Sequence, residues 1–581
     1  MTSRHSPLAA QQELTPWVIL AVLATTFVLA AAAWLGGTLG AVLAGAGWHP
    51  PPFTVETVRL LLRDPHRVWP AAPAPAIWAG IGVAFAATAC AALPVLRVLH
   101  RRVTLTTGLA RPGDLEQFAP KGATRRARAL RPSLARVKRP ARAQIGMPLG
   151  DHCGSHLRAS WEDVCLAFMA PRAGKTTAIG VPMALDAPGP VLITSRKADI
   201  YTITATPRQA HGRLWVFDPQ QIVFAPQKLW WNMLADAATV EGARRLASHF
   251  VTASISAGNR GDFWSLAAGN TLTALFHAAA LGHCGVQQVL QWLANPAERR
   301  PIELLYDAGR DALAGQLQRT IRGATETRDG IYETAGQCVA CLLDPVIAAW
   351  ITPGEQLDEF DPHAFVAGTD TLYLFSKKGP GSAAPLVAAF CDSVLQAAVA
   401  AAERAGGRLD PPLLPILDEA ANICPIEDLP DLYSFFGSMG IPLVTILQSY
   451  RQGVRVWGEV GMDAMWSAAT IKILGAGLDD PDFAAKISRL IGDHKIIETS
   501  VSRSRSGRSV TLSPRLERIF TAADIRALPK GTALLLATGI RAAVITLRPY
   551  HRERDAPALK QATLRVRQQI TERAQQTKAP P

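Results

Sequence analysis

Pro171-Arg172-Ala173-Gly174-Lys175-Thr176-Thr177 follows the apolar run Val164-Cys165-Leu166-Ala167-Phe168, an order that predicts a strand, a phosphate-binding loop and then a helix. Such a loop turns backbone amides and the Lys175 ammonium toward β- and γ-phosphates. The Thr176 hydroxyl is placed to ligate Mg²⁺ at the positively polarised start of the helix. Only the second half of the usual pattern is intact, because Met169 stands five positions before Gly174, where a glycine is expected. A methionine there forfeits positive-φ backbone space. The loop must therefore turn at Met169 without a positive φ, or hold phosphate less tightly.

A second carboxylate-bearing strand completes the chemistry. Leu413-Leu414-Pro415-Ile416-Leu417 runs into Asp418-Glu419, 242 residues after Thr176. In phosphate-loop nucleotidases the Asp at such a strand end holds Mg²⁺ and the adjacent Glu polarises the attacking water. Acids in the first turn of a helix are common for electrostatic reasons alone, so neither half is decisive by itself. Together, in this order, they point to a nucleotide hydrolase. The next apolar segment, 441–447, ends in Gln448-Ser449, where RecA-like motors place a polar sensor of the γ-phosphate. Arg451 and Arg455 follow, either being a candidate to reach a neighbouring subunit's nucleotide.

These residues need a sheet to hold them level. Short apolar segments at 191–195, 214–219, 371–375, 413–417, 441–447 and 470–474 alternate with helix-like intervals, which predicts a parallel α/β sheet. Between 240 and 351 the chain is Ala/Leu-rich with helical periodicity and reads as an all-helical insertion. Ser and Arg alternate from 500 to 509, a loop or hairpin. Beyond Tyr550 a charged, Gln-rich helix is expected to fray into a short tail. At 581 residues the chain has room for about three folding units.

No Asp, Glu, Lys or Arg occurs from Leu14 to Trp48 or from Pro73 to Leu96. Both stretches exceed the ~20 apolar residues that span a bilayer, which predicts two transmembrane helices near 15–37 and 75–97. The formal charge is +13, and +11 of it falls between Arg97 and Arg142. A basic block directly after a span marks the cytoplasmic side and attracts anionic lipid. Both termini are thus expected in the cytoplasm. Eight cysteines lie mostly in apolar runs, as reduced core thiols do. The lone Cys338-Val339-Ala340-Cys341 motif lacks a second pair at metal spacing.

Motifs outside the nucleotide loop extend the pattern: Trp161-Glu162-Asp163, Thr194-Ser195-Arg196-Lys197-Ala198-Asp199, Phe217-Asp218-Pro219, Trp231-Asn232, Asp262-Phe263-Trp264, Ala420-Ala421-Asn422-Ile423, Leu429-Pro430-Asp431-Leu432 and Trp457-Gly458. With the two N-terminal spans, the chain from Trp17 to Tyr550 resembles TraG/TraD-type coupling proteins of type IV secretion. The resemblance implies a RecA-like phosphate-loop ATPase with an inserted all-α domain, anchored in the inner membrane. It implies a homo-hexameric ring that recruits a relaxase–DNA complex and drives single-stranded DNA into the secretion channel, using ATP and Mg²⁺. Lys175 and the loop from Pro171 through Arg172, Ala173, Gly174, Thr176 and Thr177 would bind the nucleotide. Thr176 and Asp418 would hold Mg²⁺, Glu419 would activate water and Gln448 would sense phosphate. The corresponding segmentation is a membrane anchor at 1–97, a basic linker at 98–144, the nucleotide-binding domain at 145–239 and 356–550, the helical domain at 240–355 and a tail at 551–581. Met169 and Ala170 depart from the Gly and Pro common in the family, and the long acidic tail some members use for docking is not expected. Arg503, Arg505 and Arg508 are candidates for DNA contact within the ring, or else a solvated surface loop. Two other readings are an FtsK-like double-stranded DNA translocase and a docking protein with a degenerate ATPase.

Overall fold

The computed structural model describes residues 7–54, 56–57, 59–60, 64, 67–105, 108–255, 257–379, 381–504, 507–553 and 555–578. They form two compact units, Met1–Thr107 and Gly108–Pro581.

The first unit is a pair of helices, Pro7–Leu43 and Ala74–Leu105, each longer than the span expected within it. Small residues let the two backbones approach closely, because a Cβ on Gly40 would sit 2.3 Å from the Ala76 carbonyl oxygen and one on Gly80 2.2 Å from that of Gly36. Ala41, Trp69, Ile77 and Ile81 fill the space around this seam. The stretch Ala24–Leu43 is long and apolar enough to cross a membrane, whereas the second helix carries the shorter apolar stretch Ala74–Cys90. A third apolar helix, Ala384–Arg404, meets the same length criterion but is mostly buried inside the second unit and is a core helix.

The second unit is built on strands β1 (Met147–His152), β2 (Ser155–Ala159), β3 (Cys165–Phe168), β4 (Val191–Ser195), β5 (Leu214–Phe217), β6 (Leu229–Trp230), β7 (Asp358–Glu359), β8 (Thr371–Phe375), β9 (Leu414–Asp418), β10 (Val444–Leu447), β11 (Ile471–Gly475), β12 (Asp493–Ser504), β13 (Gly507–Arg518), β14 (Thr532–Ala537) and β15 (Ala543–Thr546). Among the described residues eleven of them form one sheet in the order β2-β1-β15-β14-β11-β3-β10-β9-β4-β8-β5. From β11 to β5 every pairing is parallel, and from β11 outward to β2 every pairing is antiparallel. The period-2 alternation of β3 divides its side chains between two cores. Leu166 and Phe168 enter the one shared with the helical insertion, while Cys165, Ala167 and Met169 enter the other.

The insertion runs through helices Val240–Ser254, Phe263–Leu281, Val286–Ala294, Arg300–Asp307, Asp311–Arg322 and Thr325–Cys338. Thr239 and Asp262 cap the first two by accepting the amides of Gly242 and Ser265. Two segments differ from the sequence expectation, and a third takes one of the two forms expected for it. The strand expected at 441–447 begins only at Val444, since Pro442 has no amide to give to a ladder. The Ser/Arg segment belongs to a long hairpin, β12–β13, in which Arg503 stands opposite Arg508, and Arg505 lies outside the described residues. Residues 108–144, most of the linker expected at 98–144, are folded into the second unit. The reason is that apolar residues among the arginines, Leu115, Phe118, Ala127 and Leu134, are buried. The arginines find partners as well: Arg131 pairs with Asp410 at 2.9 Å and Arg126 with Asp163 at 3.5 Å.

Candidate nucleotide site

Register alone brings the expected site together. Phe168 of β3 lies level with Leu447 of β10, Asp418 of β9 with Ile446, and Leu417 with Thr194 of β4. The residues that leave these strands next therefore emerge side by side at one edge of the sheet: Met169, Gln448, Glu419 and Arg196. This is the crevice outside the carboxyl ends of parallel strands in which α/β sheets hold their ligands.

The loop itself is strung between neighbours. The Met169 amide donates to the Leu447 carbonyl at 3.1 Å and the Ala170 amide to that of Ala476 at 3.3 Å. Positive φ falls at Arg172 (63°) and Gly174 (94°), while Met169 turns without it. Met169 continues the strand alternation, so its side chain goes into the core under the sheet, fully buried. Gly475 at the end of β11 makes the room, because a Cβ there would lie 2.5 Å from the Met169 methyl carbon. The missing first glycine is thus answered by a glycine on the adjacent strand. Residues 176–180 continue as a π-helical turn into the helix Val181–Leu185.

Four side chains converge on Glu419 and Asp418. Lys175 Nζ donates to Glu419 Oε1 at 2.7 Å and lies 3.6 Å from Asp418 Oδ1. Gln448 Nε2 donates to the same Glu419 oxygen at 2.6 Å, and Arg196 Nε faces Glu419 Oε2 at 2.6 Å. Thr176 Oγ1 donates to Asp418 Oδ2 at 3.1 Å. Glu419 takes a left-handed backbone conformation, φ 59°, held by its amide's bond to the Ile446 carbonyl at 3.0 Å. Strain of this kind, of order 1–3 kcal/mol, persists where a site over-determines it.

The electrostatics separate the two acids. Burial pushes the Asp418 carboxyl up, the Lys175 ammonium opposes this, the Glu419 charge adds to it, and the net direction is upward. Burial acts on Glu419 too, but hydrogen bonding and charge from Lys175, the Arg196 charge and the Gln448 amide outweigh it and hold this carboxyl below its ordinary value. Glu419 therefore holds its charge more readily than Asp418 does. Asp418, buried with Oδ1 lacking a hydrogen-bond partner, is an acid in want of a cation. An oxygen pair from a Thr hydroxyl and an Asp carboxylate suits Mg²⁺, so the residues present fit the ion the sequence implied.

Expected loop residues Pro171, Arg172, Ala173, Gly174, Lys175, Thr176 and Thr177 all lie at this edge, with Thr177 Oγ1 bonded back to the Gly174 carbonyl at 3.2 Å. Arg451 points elsewhere: it pairs with Asp480 and Asp482 at 3.1 and 3.0 Å. Arg455 lines a separate cleft of about 500 Å³ with Lys378 and Ser254. Cys338 and Cys341 are buried, which pushes their thiols up to about 11 and about 12. Arg196 had no role in the sequence reading, since nothing in the sequence says that β4 and β9 are neighbours.

Residues 412–530 match the family model described as the TraM recognition site of TraD and TraG. The sequence is 27% identical over 367 residues to a probable conjugal transfer protein TraG of Sinorhizobium fredii, covering 60% of this chain and 56% of that one. It is 25% identical over 371 residues to the conjugal transfer protein TraG of Agrobacterium fabrum, covering 61% and 55%. The fold superposes on the bacterial conjugative coupling protein TrwB lacking its first 70 residues, with a TM-score of 0.52, 18% identity and coverage of 73% of this chain and 93% of that one. The chain resembles the TraG/TraD-type coupling proteins. The superposition makes its fold the RecA-like α/β ATPase fold with an all-α domain. TrwB has also been solved with a non-hydrolysable GTP analogue, at a TM-score of 0.51, 17% identity and coverage of 73% and 94%, and with ADP and Mg²⁺, at the same values. The chain spans about half the length of the curated TraG relatives it matches.

Proposed function

We propose that the protein is a membrane-anchored coupling ATPase that recruits a relaxase–DNA complex and uses ATP hydrolysis to drive single-stranded DNA into a type IV secretion channel during conjugation. The observation that carries this reading is the meeting of Lys175, Thr176, Asp418, Glu419 and Gln448 at three adjacent strand ends. In the reaction Lys175 and the loop amides from Arg172 to Thr177, in the loop that Pro171 opens, hold the phosphates. Thr176 and Asp418 would hold Mg²⁺, which when bound offsets charge on the phosphates. Glu419 orients the attacking water and takes its proton. Gln448, bonded to Glu419, registers the loss of the γ-phosphate. The helix Ala24–Leu43 and its partner Ala74–Leu105 support anchoring in the inner membrane with the nucleotide site and both termini in the cytoplasm. The match at 412–530 supports a relaxosome protein of the TraM kind as a docking partner, and the TrwB fold supports a homo-hexameric ring.

The test is a mating assay with Lys175→Ala at wild-type membrane level, together with MgATP turnover of the full chain. Loss of DNA transfer by two orders of magnitude or more, with turnover abolished, is expected from removal of the phosphate-binding cation. Undiminished transfer by a correctly localised variant overturns the reading.

A further inference from the structure

The two oxygens of Glu419 have different neighbours: Oε1 accepts hydrogen bonds, while Oε2 accepts none and meets the charge of a guanidinium. Oε1 is shared by Lys175 and Gln448, whereas Oε2 faces Arg196 alone, at 2.6 Å. Lys175 cannot keep its bond once a nucleotide is present, because the same ammonium is the phosphate-binding group. Arg196 has no such competing duty. It leaves β4 on a short turn in which Ser195 Oγ, buried, accepts the Lys197 amide at 3.3 Å and donates to the Lys197 carbonyl at 3.1 Å. That turn fixes the direction in which residue 196 projects, toward the neighbouring end of β9.

We propose that Arg196 is a positioning residue for hydrolysis, its charge set against Glu419 Oε2 so that Oε1 is presented to the attacking water once Lys175 has moved to a phosphate. The proposal rests on the ATPase reading above. In the step it serves, the water oxygen bonds to the γ-phosphorus while the bond from that phosphorus to the β–γ bridging oxygen breaks. The bond's electron pair leaves on ADP, and the water proton goes to Glu419 Oε1. The guanidinium charge beside Oε2 favours the orientation of the carboxylate that leaves Oε1 toward that water. The groups facing Glu419 are Lys175 from the loop, Asp418 from its own strand, Gln448 from β10 and Arg196 from β4.

Arg196→Gln in the full chain is expected to lower kcat roughly tenfold to a hundredfold, a part of what a general base supplies. KM for MgATP should stay within about twofold, since uniform nucleotide binding is untouched. Arg196→Lys, which keeps a cation, should recover part of kcat, a rescue that a merely structural role would not give. An unchanged kcat in Arg196→Gln, or a raised KM with unchanged kcat, overturns the proposal, the latter by showing that Arg196 touches nucleotide instead. If the wild type turns over no ATP, the functional reading falls; a fully active Arg196→Gln beside an active wild type sinks this proposal alone.

Discussion

Two of the buried carboxylates, Asp392 and Asp418, are treated in opposite ways. Asp392, inside the core helix Ala384–Arg404, accepts two bonds from the Arg245 guanidinium, one from His249 at 3.0 Å and one from Gln396 at 3.2 Å. Burial pushes its carboxyl up, but the His249 and Arg245 contacts outweigh that and bring it down to about 2. Asp418 is buried to the same degree, yet one of its oxygens is orphaned and its carboxyl is pushed up. A closed knot of charge ties the helix Val240–Ser254 of the insertion to the helix beneath it. An open one waits for a ligand. The difference separates a group satisfied within the fold from one left open to a ligand, and it does so without reference to any motif.

The comparison is most severely tested by deleting each acid in turn. Asp392→Ala leaves His249 buried without its partner and Arg245, half-buried, with Asp428 at 3.5 Å alone, and is expected to cost about 3–5 kcal/mol, read as a large fall in Tm. Asp418→Asn removes a charge the fold does not satisfy, so Tm should hold or rise while nucleotide turnover is lost. Equal destabilisation by the two would erase the distinction. Acid sharpens it further. With a folded value near 2 against an ordinary 3.8, Asp392 contributes stability that is fully present above about pH 4 and lost as pH falls through about 2. Asp418, raised in the folded state, favours its protonated form there, so its charge penalises folding at neutral pH and the penalty is relieved on acidification. Asp392→Asn should therefore flatten the acid limb of a pH–stability curve, and Asp418→Asn should steepen it.

A smaller effect concerns how the open site is built. Met169 occupies a hollow whose floor is Gly475, with a virtual Cβ only 2.5 Å from its methyl carbon and 2.6 Å from its Cγ. Gly475→Ala is expected to cost about 1–3 kcal/mol by overpacking and to weaken nucleotide binding by tilting the loop. Adding Met169→Gly should return both toward wild type. Failure of that second change to rescue would show that the loop's shape is set elsewhere.

What the sequence made legible follows the same division. Lys175, Thr176, Asp418, Glu419 and Gln448 could be read because each closes or follows an apolar strand, and strand ends of a parallel sheet lie at one edge. Strand order could not be read, so Arg196, which reaches Glu419 only because β4 lies beside β9, carried no role. Nor could the counterpart of Met169, since Gly475 is 306 residues away and is brought near by β11 pairing with β3. The insertion was visible as helical composition. The pairing of Arg245 and His249 with Asp392 was not, because it joins residues 147 and 143 positions apart through tertiary packing. The arginines of 108–144 misled for a related reason: charge was counted, while the buried Leu115, Phe118 and Leu134 among them decided that the segment folds.

The mildest test asks whether the closed knot acts alone. Arg245 and His249 project from the helix Val240–Ser254, whose start is capped by Thr239 Oγ1 accepting the Gly242 amide at 3.0 Å. That start is itself crowded, since a Cβ on Gly242 would meet the Asp236 carbonyl oxygen at 1.9 Å. Thr239→Ala deletes the cap and should cost about 1 kcal/mol. If the knot holds its end of the helix independently, the cost should add to that of Asp392→Ala within about 0.5 kcal/mol, as changes at separated sites do. A double variant less destabilised than the sum by 1 kcal/mol or more would mean that losing the knot already releases the capped turn. The helix would then dock as one cooperative piece on the Asp392 contact, and the buried ion pair would be the hinge on which the insertion is fastened to the sheet.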